Sequence, residues 1–282
     1  MEERGEGLRL DQHMAQIITV KAIYTAPVKS LALQQPEKVH VGFRGIDVDR
    51  RLYLINAEGK LLTQRQSGKL VQAKAEYLIE PESPESDSLR LTFPNRDTCQ
   101  GTITQGKGIV TMIWGRRVKG HLVIGVWNEA LSQFCGEPVQ IVTSDDAGQA
   151  FDEFPVSIVS EASLQRLTEE ASIQTNFRGS LTGTRFRPNF LLGGCHPHEE
   201  DSWLSGVIQV GDELRLQPVT LDPRCSIITQ NPTTGERDID TLRLIMSYRS
   251  SPRNAYFGIY AIVENPGIVS VGDEVKVIRS GG

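Results

Sequence analysis

Cys225 is the residue whose neighbours most favour chemistry. It stands in Leu221-Asp222-Pro223-Arg224-Cys225-Ser226-Ile227-Ile228-Thr229. Pro223 fixes a bend, Arg224 supplies a permanent positive charge, and an apolar run follows. An adjacent cation favours thiolate over thiol. A thiolate is a soft ligand for a transition metal, or a nucleophile. A buried structural cysteine is the commoner fate of a lone one, so the local sequence leaves all three roles open.

Several arginines and one lysine suggest an anion. The segment Gly183-Thr184-Arg185-Phe186-Arg187-Pro188-Asn189-Phe190 sets Arg185 and Arg187 on alternate positions before an expected strand. Residues two apart in a strand share a side, so the pair is expected to converge on one anion such as phosphate. A surface ion-pair strand fits the same residues. Pro27-Val28-Lys29-Ser30 closes the first expected strand, with Lys29 as a point charge and Ser30 as a donor. Asp49-Arg50-Arg51 and Thr63-Gln64-Arg65-Gln66 add three arginines. Each alone reads as a solvated face. Together they are an excess of Arg near strand ends in a chain of formal net charge −5, with 30 basic and 35 acidic side chains.

Other chemistries find less support. Cys195-His196-Pro197-His198-Glu199-Glu200 has metal-ligand residue types, but Pro197 breaks regularity and no second cluster with zinc-finger spacing follows. A loop is the expectation there. His13, His40 and His121 have no nucleophile motif nearby, and GxSxG is missing. Without GxGxxG or GxxxxGK[ST], nicotinamide Rossmann and P-loop chemistry are not the expectation.

The elements that must position these residues are mostly strands. Short β-rich runs are expected at 17–24, 38–43, 52–56, 70–79, 89–93 and 109–114. Ala57-Glu58-Gly59-Lys60 is expected to turn a hairpin from 52–56 to 61–64. An exposed acidic loop is expected at 81–87. Helical spacing predicts helices at 126–134, stopped by Gly136, and at 160–170, capped by Ser160. Further strands are expected at 186–192, 207–210, 213–219, 256–263 and 274–278. No parallel βαβ succession occurs, so the fold is expected to be mainly β with a few helices. A linker-like stretch at 144–151 predicts the division: a disordered tail at 1–16, an N-terminal unit at 17–143 and a second at 144–282.

Of the 282 residues, 39% are apolar and 23% charged, an ordinary globular composition. The negative charge argues against a general nucleic-acid binder. No apolar run has the length of a bilayer span, and the first sixteen residues lack an apolar signal core. Cys99, Cys135, Cys195 and Cys225 are widely spaced without a CxxC pair, as expected of reduced thiols in a cytoplasmic protein.

In order, these segments resemble the MOSC superfamily, named for the C-terminal domain of molybdenum cofactor sulfurases. The resemblance is to two-part members, a group that includes the mitochondrial amidoxime-reducing component and its bacterial relatives. It runs from about Ile17 to Ile278. It is carried by Tyr24-Thr25-Ala26-Pro27-Val28-Lys29-Ser30, Asp49-Arg50, Thr63-Gln64-Arg65-Gln66, Ser160-Glu161-Ala162-Ser163-Leu164, Phe186-Arg187-Pro188-Asn189, Glu200-Asp201-Ser202-Trp203, Arg224-Cys225, Glu264-Asn265-Pro266-Gly267 and Val271-Gly272-Asp273.

The resemblance implies an N-terminal MOSC-type β-barrel domain packed on a C-terminal MOSC β-barrel. It implies molybdenum cofactor binding, with Cys225 as thiolate ligand of the metal. Lys29 and Ser30 are implied at the cofactor's phosphate and pterin, with Arg50, Arg187, Asn189, Arg224 and Tyr260 also in the cofactor pocket. Asp201 and Tyr260 are the candidate proton donors. The implied activity is reduction of N-hydroxylated compounds to amines, with electrons from a separate ferredoxin or flavin reductase, because the cysteine cluster of an appended iron–sulfur domain is missing. Two other roles fit the same pocket: a non-catalytic cofactor carrier, and sulfur transfer through a Cys225 persulfide fed by a partner. One departure stands out. Pro223 occupies the place where amidoxime-reducing members usually carry serine, and it offers neither hydroxyl nor N–H. Asp222 and Ser226 are the nearest replacements.

Overall fold

The computed structural model describes residues 17–79, 87–146, 148–249 and 253–279. The expected tail at 1–16 and nearly all of the acidic loop at 81–87 lie outside them.

In chain order the first strands are β1 (Ile18–Ile23), β2 (Lys38–Gly42), β3 (Gly45–Ile46), β4 (Leu52–Asn56), β5 (Leu61–Leu62), β6 (Lys74–Leu78), β7 (Ser88–Thr92), β8 (Thr98–Thr102), β9 (Thr104–Ile113) and β10 (Arg116–Ile124). Helix α1 (Trp127–Cys135) and β11 (Val139–Ser144) complete the first half. The second half holds β12 (Val156–Ser160), α2 (Glu161–Gln174), α3 (Gly183–Phe186), β13 (Phe190–Gly193), β14 (Gly206–Val210) and β15 (Leu214–Pro223). It ends with α4 (Thr241–Tyr248), β16 (Tyr256–Asn265), β17 (Gly267–Ser270) and β18 (Glu274–Arg279). The fold is mainly β, as expected.

Alternation along β14 and β15 turns Gly206, Ile208, Val210, Leu214 and Leu216 inward. Such strands need an enclosed apolar core. They find it in a closed barrel of order β1-β13-β12-β16-β15-β14-β18. Its interior packs Ile23, Ile158, Phe190, Ile208, Leu216 and Ile259. The barrel is completed by the start of the chain: β1 pairs with β13 through Ala22–Leu191 and with β18 through Ile18–Val275. The first half contributes a five-stranded sheet, β5-β4-β11-β10-β9, and a three-stranded sheet, β6-β7-β8. These enclose a second core with Leu54, Leu89, Leu91, Trp127 and Ile141. A third small sheet, β17-β2-β3, stitches the two halves together.

Helix ends follow sequence cues. The Ser160 side chain caps α2 by accepting from the Ser163 N–H, and Gly136 ends α1 at φ 76°. The hairpin at 57–60 joins β4 to β5 as expected. The expected strand at 70–79 begins instead as a 3₁₀ turn, Gly68–Gln72, before β6.

The larger correction concerns Arg185 and Arg187. They do not alternate on a strand. Residues Gly183–Phe186 form one helical turn, and Arg187 ends it in the left-handed region at φ 55°. Pro188 explains the stop, because the residue before proline disfavours the α region. The two arginines therefore diverge. Arg185 is buried and donates through Nη1 and Nη2 to the Asp238 carboxylate at 2.7 and 2.8 Å, and through Nη1 to the Gln230 carbonyl at 2.8 Å. It anchors the segment following Cys225 rather than a ligand. Arg185→Met is expected to destabilise the protein by ~3 kcal/mol, because it leaves a carboxylate and a buried carbonyl without their partner. Urea unfolding checks this.

Candidate active site

The cleft lies where the barrel meets the five-stranded sheet. Its first wall is the loop after β1. Lys29 N–H donates to the Leu52 carbonyl at 2.8 Å, and Arg50 N–H to the Ala26 carbonyl at 2.8 Å, so the Lys29-Ser30 turn is clipped to β4 and its approach. Ser30, Arg50, Arg187 and Trp114 all line the cleft and all hold positive φ, at 74°, 50°, 55° and 48°. Among the described residues only Arg96 and His198 are other non-glycine cases. Such conformations persist only where surrounding bonds enforce them, and they concentrate at functional sites.

One buried carboxylate enforces much of this. Asp49 accepts the Ala26 N–H on Oδ1 at 2.6 Å. Its Oδ2 accepts Arg50 Nη1 and Asn189 Nδ2, the latter at 2.9 Å. Asn189 Oδ1 in turn accepts the Ser157 N–H at 3.0 Å. Arg50 Nη2 donates to the Arg187 carbonyl at 3.2 Å, and Arg187 Nη2 to the Leu31 carbonyl at 2.7 Å. Burial, together with the neighbouring Arg50, pulls Arg187 down to about 10, still protonated at neutral pH.

Across the cleft, Lys29 Nζ donates to Asp152 Oδ1 at 2.7 Å and to the Ala150 carbonyl at 2.9 Å. Burial lowers the Lys29 pKa, and Arg50 and Arg187 add to this against Asp152. Burial alone would raise Asp152, but Lys29 and Arg50 outweigh it and hold the carboxylate well below its usual range.

The third wall carries Asp222, Arg224, Cys225 and Tyr260. Arg224 donates through Nε to the Phe257 carbonyl and through Nη1 to the Phe186 carbonyl, both at 2.8 Å. Its Nη2 lies 2.8 Å from Asp222 Oδ2 but makes no well-aligned hydrogen bond. Gly258, at φ 82°, makes room for this packing: a Cβ there would stand 2.3 Å from the Ile158 carbonyl oxygen and 3.3 Å from Arg224 Nη2. Burial pushes the Asp222 carboxyl up to about 6; Asp152 and Glu153 add to this, while Arg224 and Tyr260 oppose it. Burial, reinforced by Asp222, also raises the Tyr260 phenol. Cys225 is half-buried, extended at φ −119°, and leads into a 3₁₀ turn at Ser226–Thr229.

The structure brings together eight sequence candidates in this one cleft: Lys29, Ser30, Arg50, Arg187, Asn189, Arg224, Cys225 and Tyr260. Asp201 is elsewhere, which corrects its candidacy as proton donor to the cleft. It lies in a 3₁₀ turn, Glu199–Trp203, where its carboxylate pairs with Arg249 at the end of α4. The neighbouring Cys195 and His198 also serve the interior. Burial and Glu200 push the Cys195 thiol up to about 12, and His198 meets the Tyr248 hydroxyl at 2.9 Å. Asp152 and Trp114 are among the cleft residues that sequence reasoning missed. Asp152 follows a linker-like stretch where an acid looks solvated, and Trp114 sits at a hairpin tip with no motif around it.

The raised Asp222 pKa has a defined consequence for stability. The folded-state value exceeds the unfolded value near 4, so its contribution is fully present below pH 4 and is lost as pH rises through about 6. Asp222→Asn is expected to remove this loss, flattening the decline in unfolding free energy between pH 4 and 7 by ~2 kcal/mol. Denaturant unfolding at a series of pH values reads the slope.

Known proteins match this arrangement in order along the chain. The MOSC N-terminal beta barrel domain matches residues 17–137, and the MOSC domain matches residues 145–276. The mitochondrial amidoxime-reducing component 1 of Homo sapiens is 26% identical over 300 residues, covering 94% of this chain and 84% of that protein. Its Mus musculus counterpart is 28% identical over 305 residues, covering 96% and 85%. The molybdenum cofactor sulfurase of Homo sapiens is 23% identical over 301 residues, covering 91% of this chain and 32% of that protein. With both domains matched in sequence and a cleft built from residues of each, the chain belongs to the MOSC family in its two-part form.

Proposed function

We propose that this protein is a molybdenum-cofactor-dependent oxidoreductase that reduces N-hydroxylated compounds, supplied with electrons by a separate protein. The observation that carries the reading is the meeting of one thiol, Cys225, with the buried Lys29 and the part-buried Arg50, Arg187 and Arg224 in a single cleft. The names of the amidoxime-reducing and cofactor-sulfurase relatives support the reaction class and the cofactor.

The residues fit the cofactor's chemistry. Five cations against three carboxylates line the cleft, a local excess in an acidic chain that suits a phosphate-bearing ligand. The buried Arg224 Nη2 lacks an aligned acceptor, leaving a donor to spare. Cys225 Sγ offers a soft ligand. Bound here, the cofactor would supply two-electron reduction.

In this reading Arg50, Arg187, Lys29 and Ser30 would hold the phosphate end of the cofactor. Cys225 would hold the metal through its sulfur. Reduction of an N–OH group takes up two electrons and two protons and yields amine and water. Asp222 keeps its proton up to about pH 6 and lines the same cleft as Cys225, and so takes the donor role that Asp201 cannot fill from its place against Arg249. Tyr260 orients Asp222 through its hydroxyl. The four cysteines are free, in keeping with a cytoplasmic setting, and no described helix is long and apolar enough to cross a membrane.

Metal and pterin analysis of protein from a cofactor-competent host tests the reading, followed by turnover of a hydroxylamine with dithionite-reduced dye. Molybdenum, pterin and turnover are expected together, with no turnover on NADH alone. Cys225→Ala is expected to abolish turnover. Arg187→Met is expected to weaken pterin retention roughly 10–100-fold, the value of one charge-assisted hydrogen bond. Molybdenum without turnover would turn the reading to a carrier, and absence of both metal and pterin would overturn it.

A further inference from the structure

Three of the four residues in Thr63-Gln64-Arg65-Gln66 serve to hold their own turn. The Thr63 N–H and hydroxyl both donate to Gln66 Oε1, at 3.0 and 2.7 Å. The buried Gln64 donates through Nε2 to Gln230 Oε1 at 3.0 Å, and Gln230 Nε2 donates back to the Gln64 carbonyl at 2.9 Å. Gln230 ends the 3₁₀ turn that follows Cys225, so these bonds tie the Arg65 backbone to the segment that carries the thiol. Arg65 itself has no such duty. It lines the cleft, is exposed, and its guanidinium makes no hydrogen bond or ion pair with a described residue. The other cations of the cleft are buried or part-buried, and each donates to a carbonyl of the protein.

What holds the Arg65 guanidinium is the face of Trp114, 4.3 Å away. Trp114-Gly115 is the two-residue turn of the β9–β10 hairpin, with Ile113 opposite Arg116, and both turn residues have positive φ, 48° and 83°. A turn of that form selects Asn-Gly or Asp-Gly, so a tryptophan there is strained and is kept in place by what its side chain touches. Its Nε1 donates to Asp152 Oδ1 at 2.9 Å. Beside it Arg116 Nη2 donates to the Phe151 and Asp152 carbonyls at 2.6 and 3.2 Å. The ring is thereby fixed in the cleft wall. A guanidinium stacked on a fixed ring keeps the N–H donors at its edges free, and loses little further freedom when it binds.

We propose that Arg65, stacked on Trp114, is a substrate subsite for a carboxylate, so that the protein prefers N-hydroxylated compounds carrying a carboxylate remote from the N–OH group. The inference rests on the reductase reading above. One guanidinium edge matches the two oxygens of one carboxylate. Asp152 is engaged by Lys29, but Glu153 also lines the cleft, exposed and without an ion pair, and it opposes an anion. The preference therefore comes from direct contact with Arg65 rather than from the net charge of the mouth, and a singly charged carboxylate fits better than a doubly charged phosphate. The cofactor's phosphate has its own, less exposed cations in Lys29, Arg50 and Arg187.

The test compares benzamidoxime with its 3- and 4-carboxy derivatives, using the full chain carrying its cofactor and the variants Arg65→Met and Arg65→Lys. Turnover is driven by dithionite-reduced dye. Kd for the same compounds is measured by calorimetry without reductant, so that nothing is consumed. The unsubstituted protein is expected to favour a carboxylated compound in kcat/KM and in Kd. Arg65→Met is expected to cut that preference roughly tenfold or more, the worth of a charge-assisted hydrogen bond, and Arg65→Lys to restore part of it. Because the preference is a ratio within one protein, a general loss of activity or folding leaves it readable. Absence of turnover with all three compounds refutes the reductase reading, while the Kd ratio still judges the subsite. Equal Kd values for neutral and carboxylated compounds in the unsubstituted protein overturn the proposal, as does a preference that Arg65→Met leaves intact. Loss of bound pterin from Arg65→Met would assign the residue to the cofactor and also overturn it.

Discussion

The buried carboxylate of Asp49 is the constraint on which the cleft depends. A charge without water must find partners within the protein, and this one finds the Ala26 N–H, Arg50 and Asn189. Those partners belong to three segments far apart in sequence: the loop after β1, the approach to β4, and the turn before β13. Satisfying one carboxylate therefore fixes the mutual placement of the pieces that line the cleft. It also leaves the neighbouring Arg187 with a charge that Asp49 only partly balances.

The same economy recurs around the cleft. Lys29 faces Asp152, and Arg224 faces Asp222. Each pair sets a cation against an acid at the cleft wall, yet the cations outnumber the acids. The site thus has a preformed preference for an anion, built before any ligand arrives. Asp222 is the exception in protonation: burial and the nearby Asp152 and Glu153 outweigh Arg224 and hold its proton on up to about 6. Two carboxylates in one cleft have their hold on a proton shifted in opposite directions by what lies next to each. Asp152 sits between Lys29 and Arg50, whereas Asp222 meets other acids.

Topology explains why the cleft belongs to neither half alone. Strand β1 completes a barrel made otherwise from the second half, and its following loop must then leave the barrel beside β12 and β13. That exit places Lys29 and Ser30 opposite Asp152, Arg187 and Cys225. The β9–β10 hairpin reaches the same place from the other sheet and brings Trp114 with it. The cleft is a seam, and its residues come from both sides of the linker-like stretch at 144–151.

By itself the sequence determined the mainly β composition, the caps Ser160 and Gly136, the β4–β5 hairpin, and the candidate set around Cys225. These depend on local alternation, turn chemistry and short ordered motifs, all of which survive in one dimension. What it left open was direction. Arg185 and Arg187 look equivalent two residues apart, but Pro188 ends a helical turn between them and sends one to Asp238 and the other to the cleft. Asp201 and Asp222 both look like available acids; only tertiary packing commits the first to Arg249 and opens the second to the site. Asp152 and Trp114 carry no sequence mark, because their roles arise from strands that meet through long-range pairing. Residue types and order set which groups the protein has for chemistry. The closing of the barrel by β1 decided which of them share one cleft.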